Sequence, residues 1–280
     1  MMKQFIKMKQ FIKTFLILVF TIIFSNQIAY SKDFRFVQIT DLHYRNDAIS
    51  EENLDKMIKN INQTKNVEFV VFTGDNTNDS KKEDYINFLT QANTLNVPYY
   101  VIVGNHDVFK MGGFSKQDFV KVVREYNKNQ KARKTNFVFK YSDFIFVAVD
   151  GVREVIPSPG GYYRDDTLAW VDKMLKKYKN KNIIILQHFP MKLRHTERDA
   201  YKNDRYEAIL AKHHNVKGIF AGHFHANEEY IKDGIFYSIT GRASGGDAGY
   251  KVVDIVQEED PQTHKKGLNF YTQFVFVKDL

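Results

Sequence analysis

Phe36-Val-Gln-Ile-Thr-Asp41-Leu-His43 is the stretch on which the reading turns: an apolar, β-prone run that stops abruptly on a carboxylate and an imidazole. The same grammar recurs downstream. Val70-Val-Phe-Thr-Gly74-Asp75, Tyr100-Val-Ile-Val-Gly104-Asn105-His106-Asp107, Ile183-Ile-Ile-Leu-Gln-His188 and Gly218-Ile-Phe-Ala-Gly222-His223-Phe224-His225 each run apolar and then end on Asp, Asn or His. Short runs without polar alternation are expected for strands buried on both faces. Stretches of helical periodicity separate them: Glu51–Gln63, Lys82–Leu95, Lys116–Tyr126, Asp166–Tyr178 and Arg205–His214. Ser50 and Asp165 stand where N-caps are expected.

A second pattern joins the first. Phe137–Tyr141 and Phe144–Val149, split by Ser142-Asp143, read as a hairpin. Gly234–Thr240, Tyr250–Gln257 and Leu268–Val277 continue as strands without long helices between them. The expected fold class is therefore α/β, with a βαβ-type half and a more antiparallel half forming two sheets under outer helices.

Open α/β sheets gather ligands at the carboxyl ends of their strands. All five ligand-bearing ends are thus expected to converge on one crevice. Five of the nine histidines lie there, while His195, His213, His214 and His264 read as surface or helix residues. Asp41, His43, Asp75, Asn105, His188, His223 and His225 offer imidazole nitrogens and carboxylate or amide oxygens. With no cysteine in the chain, thiolate sites and disulfides are excluded, and an N/O set of this kind suits Mn, Fe or Zn. Seven candidate ligands exceed what one catalytic ion with an open position takes. Two ions sharing a carboxylate fit better, and such a pair can clamp both the attacking and the leaving oxygen of an in-line displacement.

The leading segment reads differently. Residues 1–13 carry four lysines and no acid, Phe15–Phe24 is apolar except for Thr21, and Ala29-Tyr-Ser31 has small residues two apart. That is the layout of a secretory signal peptide over residues 1–31, because the apolar run is shorter than the roughly 20 residues a spanning helix needs. The remainder, residues 32–280, is then one domain with 37 basic and 33 acidic residues, a net charge of +4 in place of +8. Such mild basicity suits small anionic substrates and does not call for nucleic acid. The one basic cluster, Lys128–Lys134, reads as a solvated loop. The expected location is periplasmic or extracellular, with membrane contact only through an uncleaved leader.

The five motif blocks together resemble the calcineurin-like metallophosphoesterase superfamily, whose pattern is Asp-x-His, Gly-Asp-x-x-Asp/Asn, Gly-Asn-His-Asp/Glu, His and Gly-His-x-His. Here these stand as Asp41-Leu-His43, Gly74-Asp75-Asn-Thr-Asn78, Gly104-Asn-His-Asp107, His188 and Gly222-His-Phe-His225, in order over residues 41–225. Gln187-His-Phe-Pro190 and Gly160-Gly-Tyr-Tyr163 lean toward the class III cyclic-nucleotide and glycerophosphodiester phosphodiesterases. The resemblance implies a four-layer αββα sandwich of two mixed sheets. It implies a first metal on Asp41, His43 and His225, a second on Asn105, His188 and His223, and Asp75 bridging them. It makes His106 the group that meets the substrate phosphate or protonates the leaving alkoxide. A family carboxylate often orients that histidine. Asn78 stands in its place here, and Asp107 is the candidate substitute.

The resulting expectation is an exported phosphoester hydrolase with two metal ions, acting on small phosphodiesters or nucleotides. A phosphomonoesterase or nucleotidase of the same fold is the near alternative, and a non-catalytic metal-binding module the distant one. Phe109–Phe114, Val152–Tyr163 and Met191–Asp204 are candidate substrate walls, with Arg194 and Arg198 as anion-binding candidates. Gly241–Gly246 reads as a turn near the site.

Overall fold

Strands whose two faces are both buried dominate the molecule, and they divide into two sheets. The computed structural model describes residues 33–156, 158–191, 203–259 and 266–280. The expected leader, Arg194, His195, Arg198 and His264 lie outside them. In the first sheet the order is β11(Lys266–Phe276), β10(Gly249–Glu259), β1(Phe34–Ile39), β2(Val67–Thr73), β3(Tyr99–Ile102). β1, β2 and β3 are parallel, whereas β10 and β11 are antiparallel. The second sheet runs β4(Phe137–Tyr141), β5(Phe144–Val149), β6(Asn182–Gln187), β7(Val216–Ala221), β9(Ile235–Ile239), β8(Glu228–Lys232). Its inner four strands are parallel and its edge strands β4 and β8 antiparallel.

The period-two geometry of a strand explains the layers. Phe34 and Phe36 of β1, Phe69 of β2, Phe144 and Phe146 of β5 and Phe220 of β7 belong to one buried cluster drawn from both sheets. Their rings interlock: Phe36 stacks on Phe69 at 5.4 Å, and Phe146 meets Phe69 edge-on at 5.1 Å. Each such pair adds about 1 kcal/mol beyond the area it buries, which gives the abundant phenylalanines a structural role. The alternate residues, Val37 and Ile39 or Ile145 and Val147, pack outward with the helices. α1(Ala48–Gln63), α2(Lys82–Ala92) and α3(Lys116–Tyr126) follow strands of the first sheet; α4(Asp165–Lys177) and α5(Asn203–Leu210) accompany the second. α1 buries Leu54, Met57, Ile58 and Ile61, one stripe at helical spacing. The result is the αββα sandwich.

Details differ from expectation at the edges. The α1 cap is Asp47, whose carboxylate accepts from Ser50 N at 2.8 Å, so Ser50 is the residue being capped. Asp165 opens α4 instead of preceding it. β8 was not anticipated. The Lys128–Lys134 loop is exposed except for half-buried Ala132 and buried Gln130, whose amide pairs with both backbone groups of Val101 and closes that edge of β3. His213 is mostly buried and meets Asp172 at 2.8 Å, so it braces α4 and is not a surface group.

Candidate metal centre

Parallel strands share a direction, so the carboxyl ends of β1, β2, β3, β6 and β7 can meet, and the side chains they carry do meet. His225 Nε2 lies 3.3 Å from both Asp41 Oδ1 and His43 Nε2. His188 Nε2 lies 3.2 Å from Asp75 Oδ2, 3.2 Å from Asn105 Oδ1 and 3.3 Å from His223 Nδ1. Asp75 Oδ2 also faces His43 Nε2 at 3.9 Å, so it stands between the two groups. With metal–ligand bonds of about 2.0–2.1 Å, neighbouring ligand atoms around one ion sit about 3.0–3.4 Å apart. The spacing here is that of ligands sharing ions, in two sets with Asp75 in common. The buried Asp41 Oδ1 has no hydrogen-bond partner, which is what a cation ligand looks like without its cation.

The backbone is bent to serve this arrangement. Nine non-glycine described residues have positive φ, and five of them are Asp41, His43, Asp75, His223 and His225. Left-handed backbone is costly for such residues and persists where surroundings enforce it, commonly at functional sites. Gly74 has φ +96°, and a Cβ there would lie 2.5 Å from the His188 ring. At Gly104 a Cβ would strike Asp75 N at 2.0 Å. Below the rim, fully buried Gln38 ties three strands and the turn after β9 together: it donates to Thr73 Oγ1 at 2.8 Å and the Ala221 carbonyl at 3.1 Å, and accepts from Thr240 Oγ1 at 2.7 Å. His188 Nδ1 donates to the Thr73 carbonyl at 3.0 Å, which leaves Nε2 as the ring nitrogen directed at the cluster.

Electrostatics agree with ligand chemistry. Burial pushes His223 down to about 4 and also lowers His43, so both rings are neutral donors. Burial would lower His188 too, but the Asp75 carboxylate outweighs it and raises the imidazole to about 9. Asp75 itself is held well below the usual carboxylate range: burial opposes this, and the charge and hydrogen bond of His188 prevail. The proton shared by that pair occupies the place a cation would take.

A family model described as calcineurin-like phosphoesterase matches residues 34–227. The chain belongs to that family. It is a metal-dependent phosphoester hydrolase, in a family whose members use a dinuclear metal site. A protein of Xenorhabdus bovienii named a probable cyclic nucleotide phosphodiesterase is 29% identical over 208 residues, covering 68% of this chain and 78% of that one. One of Arcobacter nitrofigilis named a probable glycerophosphodiester phosphodiesterase is 25% identical over 202 residues, covering 68% and 71%. A solved dimetal phosphatase from Danio rerio superposes with a TM-score of 0.64 at 14% identity, covering 85% of this chain and 98% of that one, and shows the same fold.

Within this metallophosphoesterase framework two expected catalytic residues change role. Asp107 does not support His106. Its carboxylate turns inward, accepting from Gly104 N at 2.7 Å, Thr77 N at 2.9 Å and Asn76 Nδ2 at 2.9 Å, so it staples the β2 and β3 loops together. Burial and the nearby Asp75 carboxylate push it up to about 7. The Asn78 side chain points at Asp79 Oδ1 at 2.5 Å. It is the Asn78 backbone carbonyl that receives His106 Nδ1, at 2.9 Å, where the family pattern led us to expect a carboxylate. Sequence reading also missed Ser244, whose hydroxyl donates to the Asp41 carbonyl at 2.8 Å from the Gly241–Gly246 turn. That turn had been placed near the site, and proximity was the only available signal.

Proposed function

We propose that this metallophosphoesterase hydrolyses small phosphodiesters at a dinuclear centre. Asp41, His43 and His225 would hold one ion and Asn105, His188 and His223 the other, with Asp75 available to both. The observation that carries the reading is the position of Asp75 Oδ2 between His188 Nε2 at 3.2 Å and His43 Nε2 at 3.9 Å. The donor set fits Mn, Fe or Zn. Bound there, the two cations supply an activated water and positive charge opposite the phosphoryl oxygens.

The chain's own residues do the rest. The backbone N–H of His106 fixes Asp75 Oδ1 at 2.8 Å, which leaves the other oxygen directed at His188 and His43. The His106 ring stands edge-on to His43 at 4.7 Å, at the mouth of the cluster. With Nδ1 tied to Asn78, His106 presents Nε2 to substrate and delivers a proton to the leaving alkoxide or a hydrogen bond to the phosphate. The names of the two relatives favour diesters over monoesters. The signal-like residues 1–31 support export, which N-terminal sequencing of the protein isolated from its native cell envelope or medium checks. Extracellular diesters, nucleotides or lipid head groups are then the substrate pool.

The test compares bis(p-nitrophenyl) phosphate with p-nitrophenyl phosphate after reconstitution with each metal, for wild type and Asp75→Ala. Diester hydrolysis lost together with bound metal is expected in the variant. A variant that keeps wild-type rate and metal content ends the assignment, and faster turnover of the monoester converts it to the monoesterase reading.

A further inference from the structure

One flank of the crevice is apolar. β3 is an edge of the first sheet and faces the β4–β5 edge of the second, as the Tyr100–Phe139 stack at 3.6 Å shows. The loops leaving β3 and β5 therefore rise side by side at the rim. They are joined, with Lys110 N donating to the Glu154 carbonyl and Lys116 N to its carboxylate, both at 2.7 Å. The second loop also reaches the metal centre. Tyr163 OH donates to the Phe189 carbonyl at 2.9 Å, and the Phe189 ring lies 4.6 Å from that of His223.

Nine large hydrophobic side chains are exposed among the described residues, and four of them, Phe109, Met111, Val155 and Ile156, are on these two loops. Ile156 is 77% exposed and Val155 50%. Beside them a cavity of about 820 Å³ is walled by Val152, Arg153, Val155, Ile156 and Tyr162 and by the start of α4. Most of its charges are already engaged: Lys116 with Asp150 at 2.6 Å, Arg164 with Asp166 at 3.2 Å, Asp165 with Arg205 at 2.5 Å, and Glu154 with Lys116 N. Arg153 is the exception. Its guanidinium lies over the Tyr162 ring at 4.9 Å, with no carboxylate partner among the described residues. Among the described residues no amide side chain lines the cavity to read the edge of a nucleobase. What it offers is aliphatic surface and one uncommitted positive charge.

We infer that the phosphodiester cleaved here carries an aliphatic chain, seated against Val155 and Ile156 with Arg153 complementing its anionic head. The class is a single-chain amphiphile such as a monoacyl glycerophosphodiester. This rests on the phosphodiesterase reading above and narrows it.

The experiment uses methyl, butyl and octyl p-nitrophenyl phosphates below their micelle concentrations with the reconstituted enzyme. A fully buried methylene is worth about fourfold, so partial burial of the octyl chain is expected to raise kcat/KM at least about tenfold over methyl. Val155→Ser/Ile156→Ser, at two exposed positions whose replacement leaves the core untouched, is expected to bring the octyl-to-methyl ratio close to one. In parallel, calorimetry compares binding of octyl and methyl phosphocholine, which needs no turnover. A flat series with equal binding overturns the inference while leaving phosphodiester hydrolysis intact. Preferential octyl binding without turnover of any ester keeps the apolar subsite and removes the phosphodiesterase reading. No turnover and no preference removes both.

Discussion

Two of the buried polar clusters among the described residues are built on opposite principles. Near β8, β9 and β10, Lys251 is wholly buried, yet its ammonium donates to Glu229 Oε1 and Ser238 Oγ, both at 2.8 Å, and to the Ile239 carbonyl at 3.3 Å. Glu229 takes a further bond from Thr272 Oγ1 at 2.6 Å. All three ammonium donors are used. At the rim, Asp41 Oδ1 has only the His225 imidazole nearby and no hydrogen-bond partner, imidazole nitrogens face one another, and five ligand candidates sit in left-handed backbone. A buried polar group with every bond made is a brace between sheets. One with open valences and a strained backbone is a site prepared for something that is added later.

The sharpest way to break this contrast is to mutate one member of each cluster. Asp41→Asn keeps the shape but removes the charge. We expect diesterase activity to fall more than about 100-fold, since even residues that only orient metal ligands cost about 10–100-fold. The melting temperature of the metal-free protein should hold or rise. Metal analysis and calorimetry check both halves, and a variant that unfolds would make the rim a brace after all. Lys251→Met should do the reverse, losing about 3 kcal/mol of stability because Glu229 is left without its cation, with metal content and turnover retained. Urea melts read this directly.

A smaller effect concerns protons. In the metal-free protein Asp75 overcomes burial and raises His188 to about 9. A raised pKa means the folded chain holds the proton more tightly than the unfolded one. Its stabilisation is therefore complete below the ordinary histidine value near about 6.5 and is lost as the pH rises through about 9. A binding cation must expel that proton. Metal affinity should weaken up to about tenfold for each pH unit below 9, with close to one proton released at pH 7. Calorimetry in two buffers of different ionisation enthalpy counts it. A count of zero would place the proton elsewhere and dissolve the picture of Asp75 and His188 holding a cation's place.

The same contrast explains what could be read in the sequence. β1, β2, β3, β6 and β7 were legible because double-sided burial leaves uninterrupted apolar runs, and the convergence of their candidate ligands because each stands at or just past a strand's end. β8 was not legible: Glu228-Glu-Tyr-Ile-Lys232 is an edge strand with exposed charges and no apolar face of its own. Lys251 reads as a solvent-facing residue until Glu229, 22 positions earlier, is brought against it. Asp107 was a candidate support for His106, but neighbours on a tight turn point apart, and its three N–H donors draw it inward. The support of His106 by a backbone carbonyl leaves no trace in side-chain identity at all.

The smallest expected effect probes how far the strained rim depends on its supports. Asp41 has φ +52°, and its carbonyl is held by Ser244 Oγ at 2.8 Å, while Ala243 N holds the Thr40 carbonyl at 2.8 Å one residue before. Both come from the turn after β9, so the second sheet fixes the backbone of a candidate ligand carried by the first. Ser244→Ala removes one hydrogen bond, about 1 kcal/mol, which is about fivefold in an equilibrium. If that bond selects the left-handed Asp41 conformer, the loss should appear as about fivefold weaker binding of one of two metal ions, with kcat restored at saturating metal. If instead the conformer is enforced by the packing around Gly222, where a Cβ would lie 2.4 Å from Asp41 Oδ2, metal binding will be unchanged and only stability will fall. The two outcomes separate a support that acts on the ligand from one that merely fills a bond.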